Sequence, residues 1–377
     1  MTISRRNFLT GTRDPSRAPS GVGAGVNPPV HVPRAEAPLN ILFLGGTGFI
    51  GPHQVEYAIK RGHKVTLFNR GKTNPKLFPA AEKLEGDRDG KLDALNGRKW
   101  DAVIDNSGYV PRHVRDSAQL LKNAVGQYLF ISTVGIYQAF ADGSWPAGGV
   151  DEDAPKVPLS EPGSEDSRKH YGPLKVLCEE EVVKAFPKGA TLVRPGLIVG
   201  PFDPTDRFTY YPVRVDKGGE VLAPGTPDDP VLYIDARDLG IWCVHLLEQR
   251  VTGAFNALGP LKPFSIAEML YGCRAVTSTP VSFTWVDGAI LTEHKVPPFS
   301  LIPWVWPKGP LHGASHFRRD RAFAAGLKFR PFAETARDTL NWFKSLPAER
   351  QAKLGAGMRP EKEAEILAAV RSRGGRS

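Results

Sequence analysis

Apolar residues fall in short unbroken runs through the first half of the chain, and that regularity fades after about residue 195. Ile41-Leu42-Phe43-Leu44 is too short for a helix and is bounded by polar residues and glycine, as a buried strand requires. Residues 64–68, 100–105 and 128–131 repeat the pattern, and the stretches 55–61, 113–124 and 174–186 between or beyond them read as helices. Strands apolar on both faces, alternating with helices, predict an α/β fold with a doubly wound parallel sheet covered on both sides. The loss of pattern after residue 195 predicts a smaller, mixed C-terminal substrate lobe interleaved with the last sheet strands. The expected organisation is a flexible segment over 1–38, a dinucleotide-binding domain over 39–195, a lobe over 196–348 and a C-terminal helical tail over 349–377.

The turn after the first strand reads Gly45-Gly46-Thr47-Gly48-Phe49-Ile50-Gly51. A strand feeding a glycine turn that opens a helix is where a dinucleotide's pyrophosphate sits, as in Rossmann folds. Gly46 is expected to permit the tight turn, Gly48 to let the backbone approach the phosphates, and Gly51 to allow close helix–strand packing. The free N–H groups and the positive end of the helix would hold the anion.

Tyr171-Gly172-Pro173-Leu174-Lys175 sets a phenol and an ammonium four residues apart, on one face of a helix. A neighbouring ammonium favours phenolate, so Tyr171 is expected to titrate below the ordinary phenol value of about 10 and to exchange protons with a carbonyl oxygen. The strand 128–131 runs into two hydroxyls, Ser132 and Thr133.

In these motifs the chain resembles the extended short-chain dehydrogenase/reductase family, specifically its NAD-dependent epimerase/dehydratase group. The resemblance runs from about Asn40 to Asn256, with weaker echoes to Trp342. It also includes Ile136-Tyr137, Arg194-Pro195-Gly196, Gly200-Pro201 and the stretch 233–239. It implies catalytic roles for Thr133 on the reacting oxygen, Tyr171 as acid/base and Lys175 on the nicotinamide ribose. Thr133 is preferred to Ser132 because it stands four residues before Tyr137. Implied cofactor contacts come from Gly45, Thr47, Gly48, Phe49, Ile50, Ser132, Pro195 and Leu197, with Asp87, Arg88, Asn106, Ser107 and Gly108 around the adenosine. A homodimer through the two helices flanking Tyr171 is likewise implied.

Two departures from the family pattern narrow the chemistry. Val134-Gly135 follows Thr133 where the dehydratases carry Asp-Glu, which argues against elimination of water. Leu197 stands where sugar-nucleotide epimerases carry the Asn that grips the diphosphate. What remains is reversible hydride transfer at a secondary alcohol or ketone by an oxidoreductase or epimerase. Residues 203–211 mix a cation, hydroxyls and aromatics, equipment for a polar, sugar-like substrate, with Arg207 as anchor and Tyr210 beside it. Trp304 and Trp306 would either stack on such a ring or pack internally. The alternative class is a non-catalytic NADP(H)-binding sensor or RNA-associated scaffold on the same fold.

Cofactor choice is argued from the end of the second strand. NAD sites usually carry Asp or Glu there, whereas this chain has Asn69-Arg70-Gly71-Lys72. Arg70 and Lys72 suit a 2′-phosphate, which favours NADP, with NAD held through Asn69 as the alternative.

The net charge of +9 is concentrated at the ends, about +3 on residues 1–38 and +3 on residues 349–377, leaving about +3 on the body. Basic tails on a near-neutral body give no footprint for nucleic acid. Cys178, Cys243 and Cys273 have neither metal nor disulfide spacing, and no apolar run is long enough to span a membrane. Ser4-Arg5-Arg6-Asn7-Phe8-Leu9 resembles a degraded twin-arginine export motif, with Ala35-Glu36-Ala37 as a small-residue cleavage site. A cytoplasmic location is expected, with twin-arginine export to the periplasm as the alternative. The Pro-rich acidic segment between Thr133 and Tyr171 is either a lid or a surface insertion.

Overall fold

Four of the apolar runs become adjacent parallel strands at the centre of one sheet. The computed structural model describes residues 32–374. In chain order come β1 (Asn40–Leu44), α1 (Gly51–Lys60), β2 (Lys64–Asn69), β3 (Glu82–Glu85), β4 (Ala102–Asp105), α2 (Pro111–Leu121) and β5 (Gln127–Ile131). Then follow α3 (Ala139–Asp142), α4 (Tyr171–Ala185), β6 (Ala190–Pro195), β7 (Ile198–Val199), α5 (Tyr210–Asp216), β8 (Gly219–Pro224), β9 (Ile234–Asp235), α6 (Ala236–Glu248) and β10 (Gly253–Ala257). The seven-stranded sheet has the order β10-β6-β5-β4-β1-β2-β3 and is parallel throughout. Both faces are buried, as the apolar runs demand: α1 and α6 cover one, α2 and α4 the other. Strand order reverses between β1 and β4, the switch point where open α/β sheets bind ligands beyond the strands' carboxyl ends. β3 has no counterpart among the apolar runs, because Leu84 is its one buried residue and it forms the charged sheet edge.

The lobe adds α7 (Ile266–Arg274), β11 (Val281–Val286), α8 (Gly288–Glu293), α9 (Asp320–Ala324), α10 (Phe332–Lys344), α11 (Ala348–Gln351) and α12 (Pro360–Gly374). β8 pairs with β11 and β7 with β9, both in parallel. A second core of Val199, Phe208, Tyr211, Met269, Leu270 and Trp304 closes over these elements. The tail reading needs correction here. α12 is built into the lobe: Ile366 and Leu367 are buried in that core, and the buried Glu363 accepts from Arg214 (2.6 Å) and from the Leu222 N–H (2.9 Å).

The insertion before Tyr171 is anchored by buried polar groups. Asn256 receives a bond from the Tyr137 hydroxyl (2.5 Å), and its own N–H donates to Glu152 (2.8 Å). Arg194 reaches from β6 to Glu179 (2.9 and 2.8 Å), Tyr137 (3.0 Å) and the Glu152 carbonyl (2.7 Å). These bonds tie the segment to the sheet, as befits a packed insertion. The twin-arginine motif lies outside the described residues. Within them, Ala35 is buried and its N–H donates to the Arg61 carbonyl (2.8 Å), so this part of the segment expected to be flexible is docked. Among the described residues no helix is long and apolar enough to cross a membrane.

Candidate functional site

A cavity of about 990 Å³ opens at the carboxyl ends of the sheet strands, a volume typical of small-molecule sites. Its floor begins with the glycine turn. Gly45 takes the positive φ of +85°, so the sharp bend falls one residue before the Gly46 expected to make it. Gly46 is required for packing instead: a Cβ there would stand 2.8 Å from Leu67 and 3.1 Å from Val55. A Cβ on Gly51 would lie 2.6 Å from the Gly46 carbonyl carbon, whereas one on Gly48 would meet nothing within 4 Å. The Gly48 backbone therefore faces open space. No side chain caps α1 among the described residues, and Pro52 stands in its first turn, where its missing N–H costs nothing. Asn106 braces the turn, donating to the Gly45 carbonyl (3.1 Å) and to Gln54 (2.7 Å).

Thr47, Phe49, Ile50, Asn69, Arg70, Lys72, Asp87, Arg88, Asn106, Ser107, Ser132, Pro195 and Leu197 line the same cavity, with Gly45 and Gly48. Arg88 is nonetheless buried and committed beneath it, donating to Asp105 (2.5 Å), Ser117 (2.5 Å) and the His113 carbonyl (3.1 Å). Asp105 also accepts from the Ser107 N–H (3.0 Å) and the Tyr128 hydroxyl (2.7 Å), so Arg88 stiffens the Ser107 turn. Among the described residues Arg70 and Lys72 pair with no carboxylate.

Thr133, Tyr171, Lys175 and Arg207 share this cavity. The Thr133 oxygen accepts from the Gly135 N–H (3.1 Å), which fixes its rotamer, and Thr133 and Tyr171 line the same cavity. The expected lowering of the phenol's pKa does not occur. Tyr171 keeps about two-fifths of its surface exposed, and partial desolvation at the cavity wall still pushes it up to about 12, with the neighbouring Tyr109 adding to the rise. The Thr133 hydroxyl and the Arg207 charge oppose it less strongly. Lys175 is turned away, donating to the carbonyls of Gly108 (2.8 Å) and Ile131 (2.5 Å) and lying 4.1 Å from the Phe130 ring centroid. Burial lowers its own pKa to about 8.

Two candidates sit off the cavity wall. Tyr210 is a correction: it is buried in the lobe core against Tyr211, because α5 turns that face inward, and burial drives its pKa well up. Gly108 contributes only its carbonyl to Lys175, and a Cβ there would strike Phe130 at 2.4 Å. Trp304 packs internally, its indole donating to Asp229 (2.7 Å). Sequence reasoning missed Tyr109, whose ring centroid lies 6.3 Å from that of Tyr171. Its position one residue past Gly108 was the available signal.

The residues present fit a dinucleotide. Open space over Gly48, an uncapped helix start and a buried Ser132 hydroxyl with no partner among the described residues all face one cavity. Among the described residues no cluster of His, Cys, Asp and Glu could hold a metal.

Comparison with known proteins agrees with this architecture. The model of the NAD dependent epimerase/dehydratase family matches residues 41–257, more than half of the chain. Among solved structures, the Bordetella bronchiseptica enzyme WbmH in complex with NAD+ is 17% identical, covering 82% of this chain and 100% of its own, with a TM-score of 0.59. The Thermus thermophilus UDP-glucose 4-epimerase complex with NAD is 19% identical, covering 82% and 100%, with a TM-score of 0.56. Among curated sequences, a chloroplast stem-loop binding protein of 41 kDa from Arabidopsis thaliana is 27% identical over 222 residues, 52% of this chain and 53% of that protein. The chain thus spans about half the length of that relative.

Proposed function

The chain belongs to the NAD-dependent epimerase/dehydratase family, and on that premise we propose that it is an NAD(P)-dependent oxidoreductase or epimerase acting reversibly at a secondary alcohol or ketone. The observation that carries this reading is that the Thr133 and Tyr171 hydroxyls line the cavity onto which the glycine turn opens. The backbone of residues 45–50 and the start of α1 would hold the pyrophosphate. Arg70 and Lys72 would meet a 2′-phosphate, Asp87, Asn106 and Ser107 the adenosine, and Lys175 the nicotinamide ribose. These cations at the end of β2, with no carboxylate partner among the described residues, favour NADP over NAD.

When bound, the nicotinamide dinucleotide supplies the hydride donor or acceptor. Tyr171, protonated at neutral pH, gives its proton to the carbonyl oxygen during reduction and takes one from the hydroxyl in the reverse direction. Thr133, its rotamer set by the Gly135 N–H, offers a hydrogen bond to the same oxygen. Lys175 keeps one N–H beyond the two given to Gly108 and Ile131. Its bonds to two strand-end backbones fix where that third donor points.

A non-catalytic reading, with an RNA partner, is favoured by the likeness to the stem-loop binding protein. The retained hydroxyl pair argues for the enzyme, since a scaffold has no use for a proton relay. The test is mass spectrometry of nucleotide released from freshly purified protein, then titration with NADP(H) and NAD(H). Stoichiometric retained cofactor supports an epimerase cycle, and an empty protein that binds NADPH supports an exchanging reductase. Failure to bind either form, together with tight binding of stem-loop RNA, would replace the enzyme reading with the scaffold.

A further inference from the structure

The lobe's share of the cavity wall is chemically unlike the sheet's. Leu232, Leu258 and Phe317 pack in one cluster with Phe140 of the insertion and with Val134 and Ile136, which follow directly on Thr133. Ile302 and Val305 continue the wall, fixed by the bridge between Trp304 and Val231 and by the Trp304–Asp229 bond. Among the described residues, the lobe brings only two hydrogen-bonding side chains to the lining, Arg207 and Ser315. Ser315 already donates to the Pro230 carbonyl (3.4 Å). The Arg207 Nε donates to Thr205 (3.0 Å), no carboxylate pairs with Arg207 among the described residues, and its charge acts on Tyr171.

A sugar ring needs partners for several hydroxyls, and each one buried unpaired against such a wall costs about tenfold or more in affinity. A nucleoside diphosphate needs more cationic donors than one guanidinium offers. An apolar ring with a single carboxylate leaves nothing unpaired here: the ring meets the phenylalanine and aliphatic wall, and the carboxylate takes the Arg207 fork. Because Arg207 and Tyr171 line the same cavity, that carboxylate is held in the space the reacting carbon occupies. We propose that the substrate is an aryl- or alkyl-substituted hydroxy acid, or the corresponding keto acid, anchored by Arg207, and not a nucleotide sugar. This rests on the hydride-transfer reading above, but concerns binding and is separable from it.

The experiment is calorimetry on the full-length NADP+-loaded protein with mandelate and phenyllactate, each beside its methyl ester, and with UDP-glucose. The acids are expected to bind at least about tenfold tighter than their esters and than UDP-glucose. Arg207→Gln should erase the preference for acid while leaving ester binding and NADP+ affinity unchanged, and Arg207→Lys should restore part of it. Tighter binding of UDP-glucose, equal binding of acid and ester, an Arg207→Gln change without effect, or no binding by any acid would each overturn the proposal. Reduced-nicotinamide absorbance on the same mixtures separates the two claims. Acids bound selectively but neither oxidised, by absorbance, nor inverted at the carbinol carbon, by chiral chromatography, would refute hydride transfer and leave the binding claim standing. UDP-glucose turned over in preference to the acids would do the reverse.

Discussion

The two halves of the cavity differ in how their residues come together. The nucleotide half is made by turns at the ends of β1, β2, β4 and β5, adjacent strands of one sheet. Each turn follows its strand directly, so a local motif carries both the backbone shape and the chemistry. The substrate half is made by Phe140 from the insertion, Arg207 and Leu232 from the lobe, and Val305 and Phe317 from loops much further on. No two of these segments are consecutive elements. Chemistry that depends on one turn can be read from one turn, whereas chemistry that depends on five segments waits for the core that gathers them.

The largest effect expected on this contrast is at the seam. Tyr171→Phe should lower kcat about a thousandfold, within the usual range for a lost general acid, while the Kd for NADPH measured by fluorescence titration stays within a few-fold. Turnover that survives the change would separate Tyr171 from proton transfer. In the lobe, Ile366→Ala should cost ~2–5 kcal/mol by urea denaturation, because α12 closes the core behind the substrate wall. A change under half a kcal/mol would return α12 to the status of an appended tail. In the nucleotide half, two glycines of one turn should part company. Gly51→Ala should lose ~1–3 kcal/mol of stability through its clash with Gly46. Gly48→Ala should leave the melting temperature unchanged and weaken cofactor binding. Arg70→Asp should then shift the NADP/NAD ratio of kcat/KM about tenfold or more towards NAD, with substrate KM unaltered.

The smallest effect is a slope with pH. Lys175 has a folded pKa of about 8 against an ordinary value of 10.5, so between these values the unfolded chain binds more protons and its contribution to stability rises with pH. Tyr171 runs oppositely: its pKa is raised to about 12, so its contribution is complete below the ordinary value of 10 and is lost as pH climbs towards 12. Thermal melts from pH 8 to 10 should therefore show a rising increment that Lys175→Met removes. A slope identical in that variant would mean that Lys175 is not the group titrating.

Much of the nucleotide half was legible because its signals are short-range. The run 41–44, the glycine turn and the hydroxyls after β5 stand where the periodicity put them. What was misread there was which glycine did which work: the positive φ belongs to Gly45, and Gly46 yields to Leu67 from the neighbouring strand. The lobe was legible only in outline. Tyr210 looked like a substrate contact beside Arg207, yet Arg207 stands in the turn before α5 and lines the cavity, whereas Tyr210 opens the helix and is buried in the lobe core.

Strand and helix order, the parallel sheet and the anion-ready turn follow from residue pattern alone, because alternation of apolar runs and backbone freedom at glycine are local properties of the chain. The protonation of Tyr171 and Lys175 and the apolar character of the substrate wall belong to the folded molecule. Spacing alone made the lysine the tyrosine's activating neighbour. Folding instead directs that ammonium to two backbone carbonyls and seats the phenol, part of its surface still exposed, against Tyr109, and desolvation is set by whichever distant segments pack around a group.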